Sequence, residues 1–258
     1  MATRFVERMC IEVDGQGEPL VMIHGLGGTS NTFTPVIEAI GRQMQIIRPD
    51  LPGAGRSPTS GRLSLEDFAD MVVKAVAALG IGRANFAVHS MGTIICFHLA
   101  LRNPKLVKSL ALLGPLLAPA DAARQGLRER AATARAQGMQ PVADAIVQAS
   151  TAATTRREQP VAIALIREML MRQDAEGYAR ACEALADAAP PDVAPIKCPT
   201  LLLTGDEDPI ATATGMRAIG ARLAGSRTRV VAKCGHWATF ERPKETASAL
   251  EEFLLQRH

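Results

Sequence analysis

The chain is expected to fold as an α/β protein, with a mostly parallel sheet flanked by helices and interrupted once by a helical cap. Through its first half, short apolar runs alternate with amphipathic stretches. Apolar runs of this kind read as strands buried on both faces, with helices covering them. The alternation stops at Pro115, and a stretch rich in Ala, Arg and Gln with helical periodicity and no strand pattern follows to about Asp187. After the proline-rich segment Pro190–Pro195 the strand–helix rhythm resumes. Residues 1–115 and 190–258 are therefore expected to form the α/β core, and 116–189 the cap.

The elements follow in order. Pro19–Ile23 reads as a buried strand running into the glycine loop Gly25–Gly28, and Gln45–Arg48 as a second strand closed by Pro49 and the turn Pro52-Gly53. Ser64–Leu79 reads as a helix. Ser64 is a good N-cap, Glu66 and Asp67 lie in the first turn, and Gly80 follows the end. Its residues Leu65, Phe68, Ala69, Val72, Val73 and Val76 recur at helical spacing. Asn85–His89 is a strand, Gly92–Leu101 a helix ending before Pro104, and Val107–Leu113 a strand. Beyond the cap come strand Thr200–Thr204, a helix around Met216–Leu223, strand Arg229–Ala232 and a last helix from about Pro243 to Leu255.

Composition narrows the function classes. The 258 residues fit one large domain with an insertion. Hydrophobic residues make up 47% and charged residues 21%, ordinary values for a soluble globular protein. Aromatics are only 3%, so Leu, Ile, Val, Ala and Met must build the core. The formal charge is +3 and the basic residues are dispersed, with Arg156-Arg157 the one doublet, which argues against a nucleic-acid partner. The five cysteines are odd in number and lack CxxC or metal-ligand spacing, which points to reduced, mostly buried thiols. The N-terminal MATRFVERMC is unlike a signal peptide, and no stretch is apolar and long enough to span a bilayer. A cytoplasmic protein with no membrane partner, no metal and no organic cofactor is expected, and a homo-oligomer is compatible with the sequence.

Three places carry chemistry. Ser90, in Val88-His89-Ser90-Met91-Gly92, lies between a strand and a helix, where a sharp turn exposes the hydroxyl and aims helix N–H groups at the same spot. Asp208, in Gly205-Asp206-Glu207-Asp208-Pro209, follows the strand Leu201–Leu203. His236, in Gly235-His236-Trp237, follows Val230-Val231. Taken singly, a structural serine, an acidic surface turn and a satisfied histidine would explain them. Together they supply a nucleophile, a base that takes its proton and a carboxylate that fixes the base's tautomer. A fourth segment, His24-Gly25-Leu26-Gly27-Gly28, lets backbone approach a substrate; the N–H groups of Leu26 and Met91 are candidates for an oxyanion hole. A phosphate loop is rejected because no Gly-Lys-Ser/Thr follows. Gly25 and Trp237 are expected to line the substrate site and His24 to brace the glycine loop. No catalytic role is expected for His89, His98 or His258.

The segments HGLGG, RPDLPGAGRS, VHSMGT, TLLLTGDEDP and CGHWATFERP resemble the α/β-hydrolase superfamily over essentially the whole chain. The resemblance implies its fold and its Ser-Asp-His chain order, and places the acid at Asp208 rather than Asp206. The stretch PVAIALIREMLMRQDAEGYARACEAL is similar to the cap of 3-oxoadipate enol-lactonases. A cap tryptophan of those enzymes is missing around Ile146–Ala153, and Ala54 stands where histidine is common. Val88 replaces the usual glycine two residues before the nucleophile and Thr93 the second glycine after it, so the elbow must shift or distort. The activity implied is hydrolysis of a small carboxylic ester or lactone through an acyl-enzyme. Hydrolysis of a C–C bond or cofactor-free perhydrolysis uses the same triad, and a ligand sensor of low turnover is the alternative from another class. Enzymes of this fold with an aspartate nucleophile are disfavoured by Ser90. Arg128, Arg135, Arg167 and Arg172 are candidate partners for a substrate carboxylate, with solvated surface as the competing role.

Overall fold

The computed structural model describes residues 2–255; His258 lies outside them. The chain opens with a hairpin that its sequence pattern does not signal, β1 (Ala2–Val6) antiparallel to β2 (Met9–Asp14). Its turn residues Glu7 and Arg8 both have positive φ, 49° and 66°. Hairpin turns of that hand usually announce themselves with Asn-Gly or Asp-Gly, and here they do not. Then follow β3 (Glu18–Ile23), α1 (Thr34–Ile40), β4 (Met44–Pro49), α2 (Leu65–Ala78), β5 (Ala84–His89), α3 (Met91–Arg102) and β6 (Val107–Leu113). Five helices come next: α4 (Asp121–Gln137), α5 (Met139–Ser150), α6 (Ala153–Glu158), α7 (Pro160–Met171) and α8 (Ala175–Asp187). The chain returns through β7 (Thr200–Gly205), α9 (Ala213–Gly220), β8 (Arg227–Val231), α10 (Ala238–Glu241) and α11 (Pro243–Leu254).

The sheet has eight strands among the described residues, in the order β1-β2-β4-β3-β5-β6-β7-β8. Pairings from β4 through β3 to β8 are parallel, and those of β2 are antiparallel. Alternate residues of the central strands serve opposite faces. Val21, Ile23, Phe86, Val88, Leu110 and Leu112 pack with α2 and α3. Leu20, Met22, Ala87, Ala111, Leu113 and Leu203 pack with α1 and α11. Burial on both faces explains why these strands read as continuous apolar runs. The start of α2 is the expected cap: the Ser64 hydroxyl accepts from Asp67 N (3.1 Å), and the Asp67 carboxylate from Ser64 N (2.8 Å). No helix among the described residues is long and apolar enough to cross a membrane. The five cysteines are free, and four of them are buried.

Candidate active site

β5 ends at His89 and α3 begins at Met91, so Ser90 alone makes the turn between them. Its backbone is at φ 54° and ψ −121°, a strained conformation for a residue with a side chain. Neighbouring groups hold it there. Ser90 N donates to the Leu113 carbonyl (2.9 Å), and Thr93 N donates to the Ser90 carbonyl (2.7 Å). Val88 does not break the elbow: β5 keeps register through it, opposite Ile23 and Leu112. Thr93 puts its hydroxyl 2.7 Å from the Ser90 carbonyl and accepts from Leu116 N (3.2 Å), which joins the elbow to the chain leaving β6. Gly25 faces the serine, and a Cβ there would lie 2.7 Å from Ser90 Cβ.

The carboxyl ends of β5, β7 and β8 bring the three expected residues together. Ser90 Oγ donates to His236 Nε2 at 2.8 Å, and His236 Nδ1 donates to Asp208 Oδ2 at 2.8 Å. Ser90 is only 8% exposed and Asp208 4%. The other Asp208 oxygen accepts the backbone N–H groups of Ile210 (2.8 Å) and Ala211 (2.9 Å). Burial pushes the Asp208 carboxyl upward, but the adjoining His236 and these N–H groups outweigh it and hold the carboxyl well below its ordinary range. Asp206 is exposed and accepts only from Cys234 N (3.1 Å).

His24 has both ring nitrogens engaged. Nδ1–H donates to the Gly25 carbonyl (2.8 Å), and Nε2 accepts from Leu51 N (2.9 Å), so the neutral ring ties the glycine loop to the segment after β4. Leu26 and Met91 border one small cavity of about 10 Å³, shared with Gln173 and Tyr178. Gln173, not anticipated from the sequence, donates from Nε2 toward the carbonyls of Gly27 (3.2 Å) and Gly28 (3.4 Å), so the link between α7 and α8 holds the glycine loop. Gly114, also unanticipated, lies against the His236 ring: a Cβ there would be 3.0 Å from its Cε1. Trp237 is buried among Val147, Ile166, Leu170 and Phe240, with Nε1 donating to Ser150 Oγ (2.9 Å). Of the four arginines considered for a carboxylate, Arg128 pairs with Asp187, Arg135 with Glu176 and Glu183, and Arg167 with Asp144, all on the surface. Arg172 instead lines a cleft of about 560 Å³ between α7 and the core, with Arg56, Glu168 and Met169.

The burial of His89 predicts an acid sensitivity of the fold. Its Nε2–H donates to the His236 carbonyl (2.8 Å), while its Nδ1 is buried without a partner. Burial first, and then the charge of His236, press it from 6.5 down to about 3. Burial lowers His24 as well. The unfolded chain takes up these protons near pH 6.5, and folded His89 refuses its proton until about pH 3. The resulting stability is therefore full above pH 6.5 and is lost as the pH falls from there toward 3. Unfolding free energies from urea titrations between about pH 7 and 4.5 should fall, at up to ~1.4 kcal/mol per pH unit for each such histidine. His89→Gln, which keeps a donor for the His236 carbonyl, should flatten that slope. An equally steep slope in the variant would place the acid sensitivity elsewhere.

A hydrogen-bonded serine, histidine and aspartate at the carboxyl ends of a parallel sheet, beside a glycine loop and under inserted helices, define the α/β-hydrolase class. The chain belongs to that family: the profile described as alpha/beta hydrolase fold matches residues 18–243. Among curated relatives it is 29% identical over 244 residues to the (E)-2-((N-methylformamido)methylene)succinate hydrolase of Acinetobacter baylyi, covering 93% of this chain and 91% of that one. Among solved structures it resembles a thermophilic esterase from Thermogutta terrifontis with malate bound (TM-score 0.93, 25% identity, 98% of both chains). It also resembles the enol-lactonase from Burkholderia xenovorans LB400 (TM-score 0.92, 27% identity, 99% of this chain and 100% of that one). The chain is thus related along nearly its whole length to hydrolases.

Proposed function

We propose that the protein is a serine hydrolase that cleaves a small carboxylic ester or lactone through an acyl-enzyme. The observation that carries this reading is the continuous chain from Ser90 Oγ through His236 to Asp208, with both links at 2.8 Å. Ser90 attacks the substrate carbonyl as its proton passes to His236 Nε2. The oxyanion that forms is met by the N–H groups of Leu26 and Met91; Met91 opens α3, so its N–H has no intrahelical acceptor. The imidazolium, stabilised by ionised Asp208, returns the proton to the leaving alkoxide. Water then attacks the acyl carbonyl, with His236 taking its proton, and the acid departs as Ser90 is restored. Gly25 leaves room beside Ser90, and Trp237 packs edge-on against the His236 ring with centroids 6.4 Å apart, which steadies the base.

Small substrates are favoured because the serine is only 8% exposed and its neighbour His236 is tied to the inserted helices through Ser150. Two likenesses favour a substrate with a carboxylate: the Acinetobacter relative is named for a succinate derivative, and the Thermogutta esterase is described with malate bound.

A panel of p-nitrophenyl esters of rising chain length, with γ- and δ-lactones bearing or lacking a carboxylate, tests the reading. Short acyl esters and small lactones should give the highest kcat/KM, with a further gain from a carboxylate. A preference for long acyl chains would overturn the small-substrate reading. No gain from the carboxylate would leave a general esterase. A protein that turns over nothing and resists a fluorophosphonate would be a sensor.

A further inference from the structure

We propose that Glu241 is a positioning residue that holds the His236 loop in line with Ser90 by fastening it to the inserted helices. The proposal rests on the reading of His236 as the base. Glu241 is the last residue of α10 and is 1% exposed. Its Oε1 accepts from Trp237 N (3.0 Å). Its Oε2 accepts from Ala152 N (2.8 Å), Thr155 Oγ1 (2.8 Å) and Gly235 N (3.1 Å). Two of these donors, Gly235 and Trp237, flank His236 in sequence. The other two lie on the segment where α5 gives way to α6. Between them, His236 N donates to the Ser150 carbonyl at 2.8 Å. Three consecutive backbone N–H groups around the base are therefore directed at Glu241 or at Ser150. The two segments touch so closely that a Cβ on Gly235 would lie 2.6 Å from the Ser150 carbonyl oxygen.

Helix capping accounts for only one of the four contacts. A carboxylate reaching back to the N–H of its own N-cap, here Trp237, is a common device. The contacts to Ala152, Thr155 and Gly235 come from outside the helix and need an acceptor that takes several donors at once. Every partner of Glu241 is a donor, so both oxygens act only as acceptors. A glutamine of the same shape would turn an NH₂ group toward backbone N–H groups at one of the two positions. The base would then lose part of its frame while the packing around residue 241 is kept. A misplacement of about 1 Å at a reacting group can cost on the order of 10²-fold in rate.

The test compares wild type, Glu241→Gln, Thr155→Val and Ser90→Ala by labelling with a fluorophosphonate, with far-UV circular dichroism and the emission of Trp237, the only tryptophan. Glu241→Gln should keep the wild-type dichroism and label on the order of 10²-fold more slowly at saturating probe, with half-saturation within about twofold. Trp237 emission should stay close to that of wild type, because its indole Nε1 keeps the Ser150 acceptor and the packing around it is unchanged. Thr155→Val removes one donor and should slow labelling several-fold. A folded Glu241→Gln that labels within about twofold of the wild-type maximum overturns the proposal. If Glu241→Gln does not fold, Thr155→Val decides, and labelling at the wild-type rate overturns it. A wild type that does not label, or a Ser90→Ala that labels equally, overturns the catalytic reading itself and the proposal with it.

Discussion

Ser90→Ala should lower turnover by about 10⁴-fold or more while leaving the fold intact. His236 Nε2 has one hydrogen-bond partner, the Ser90 hydroxyl, and no other nucleophilic side chain is hydrogen-bonded to it. Removing that oxygen leaves the base with nothing to activate. The backbone strain at φ 54° is common to serine and alanine, so the turn itself gains and loses little. Loss of the single 2.8 Å hydrogen bond should cost roughly 1 kcal/mol of stability. Turnover by wild type and Ser90→Ala, measured on the same short ester with fluorophosphonate labelling as a check on purity, tests the expectation. Residual activity within tenfold of wild type would overturn the assignment of the nucleophile.

Asp208→Asn should cut kcat by roughly 10²- to 10⁴-fold, and Asp206→Asn by no more than about threefold. The difference follows from which atoms each carboxylate meets. Asp208 Oδ1 accepts two backbone N–H groups, from Ile210 and Ala211, so an asparagine there must keep its carbonyl oxygen on that side. Its NH₂ then faces His236 Nδ1. Two donors cannot share that contact, so Nδ1 becomes an acceptor and the ring proton moves to Nε2. An imidazole that carries its proton on Nε2 points a donor at Ser90 and cannot take the serine's proton. Asp206 faces solvent and accepts only the Cys234 N–H, so its amide changes the loop little. Equal losses in the two variants, or a larger loss in Asp206→Asn, would move the orienting acid to the other residue. Steady-state kinetics of both variants on one substrate is sufficient.

The α/β core and the residues that meet in the site were legible because both depend on local pattern. The central strands β3, β5, β6 and β7 are buried on both faces, so their apolar runs stand out, and Ser64 and Asp67 form the cap that their spacing announces. Ser90, Asp208 and His236 each follow a strand of one parallel sheet, and carboxyl ends of such strands lie side by side. Their adjacency is a consequence of topology that the strand order in the chain already implies. The N-terminal hairpin was not legible, since β1 is exposed over most of its length and its turn lacks the usual residues. The strain foreseen at Val88 did not disturb register, because its side chain joins the α2–α3 core.

The sequence by itself determined the class of this protein, the parallel sheet, the inserted helices and the candidate nucleophile, base and acid. Tertiary structure alone decided which polar groups support them. Nothing in the local spacing marks Glu241 or Gln173, and their partners Ala152 and Gly27 are 89 and 146 residues away. Arg128, Arg135 and Arg167 look like candidate substrate contacts until their acids are seen beside them. Apolar periodicity is written in consecutive residues because one element must bury one face. The partner of a buried polar group is set by whichever distant segment supplies the complementary atom, and no spacing within the element records it.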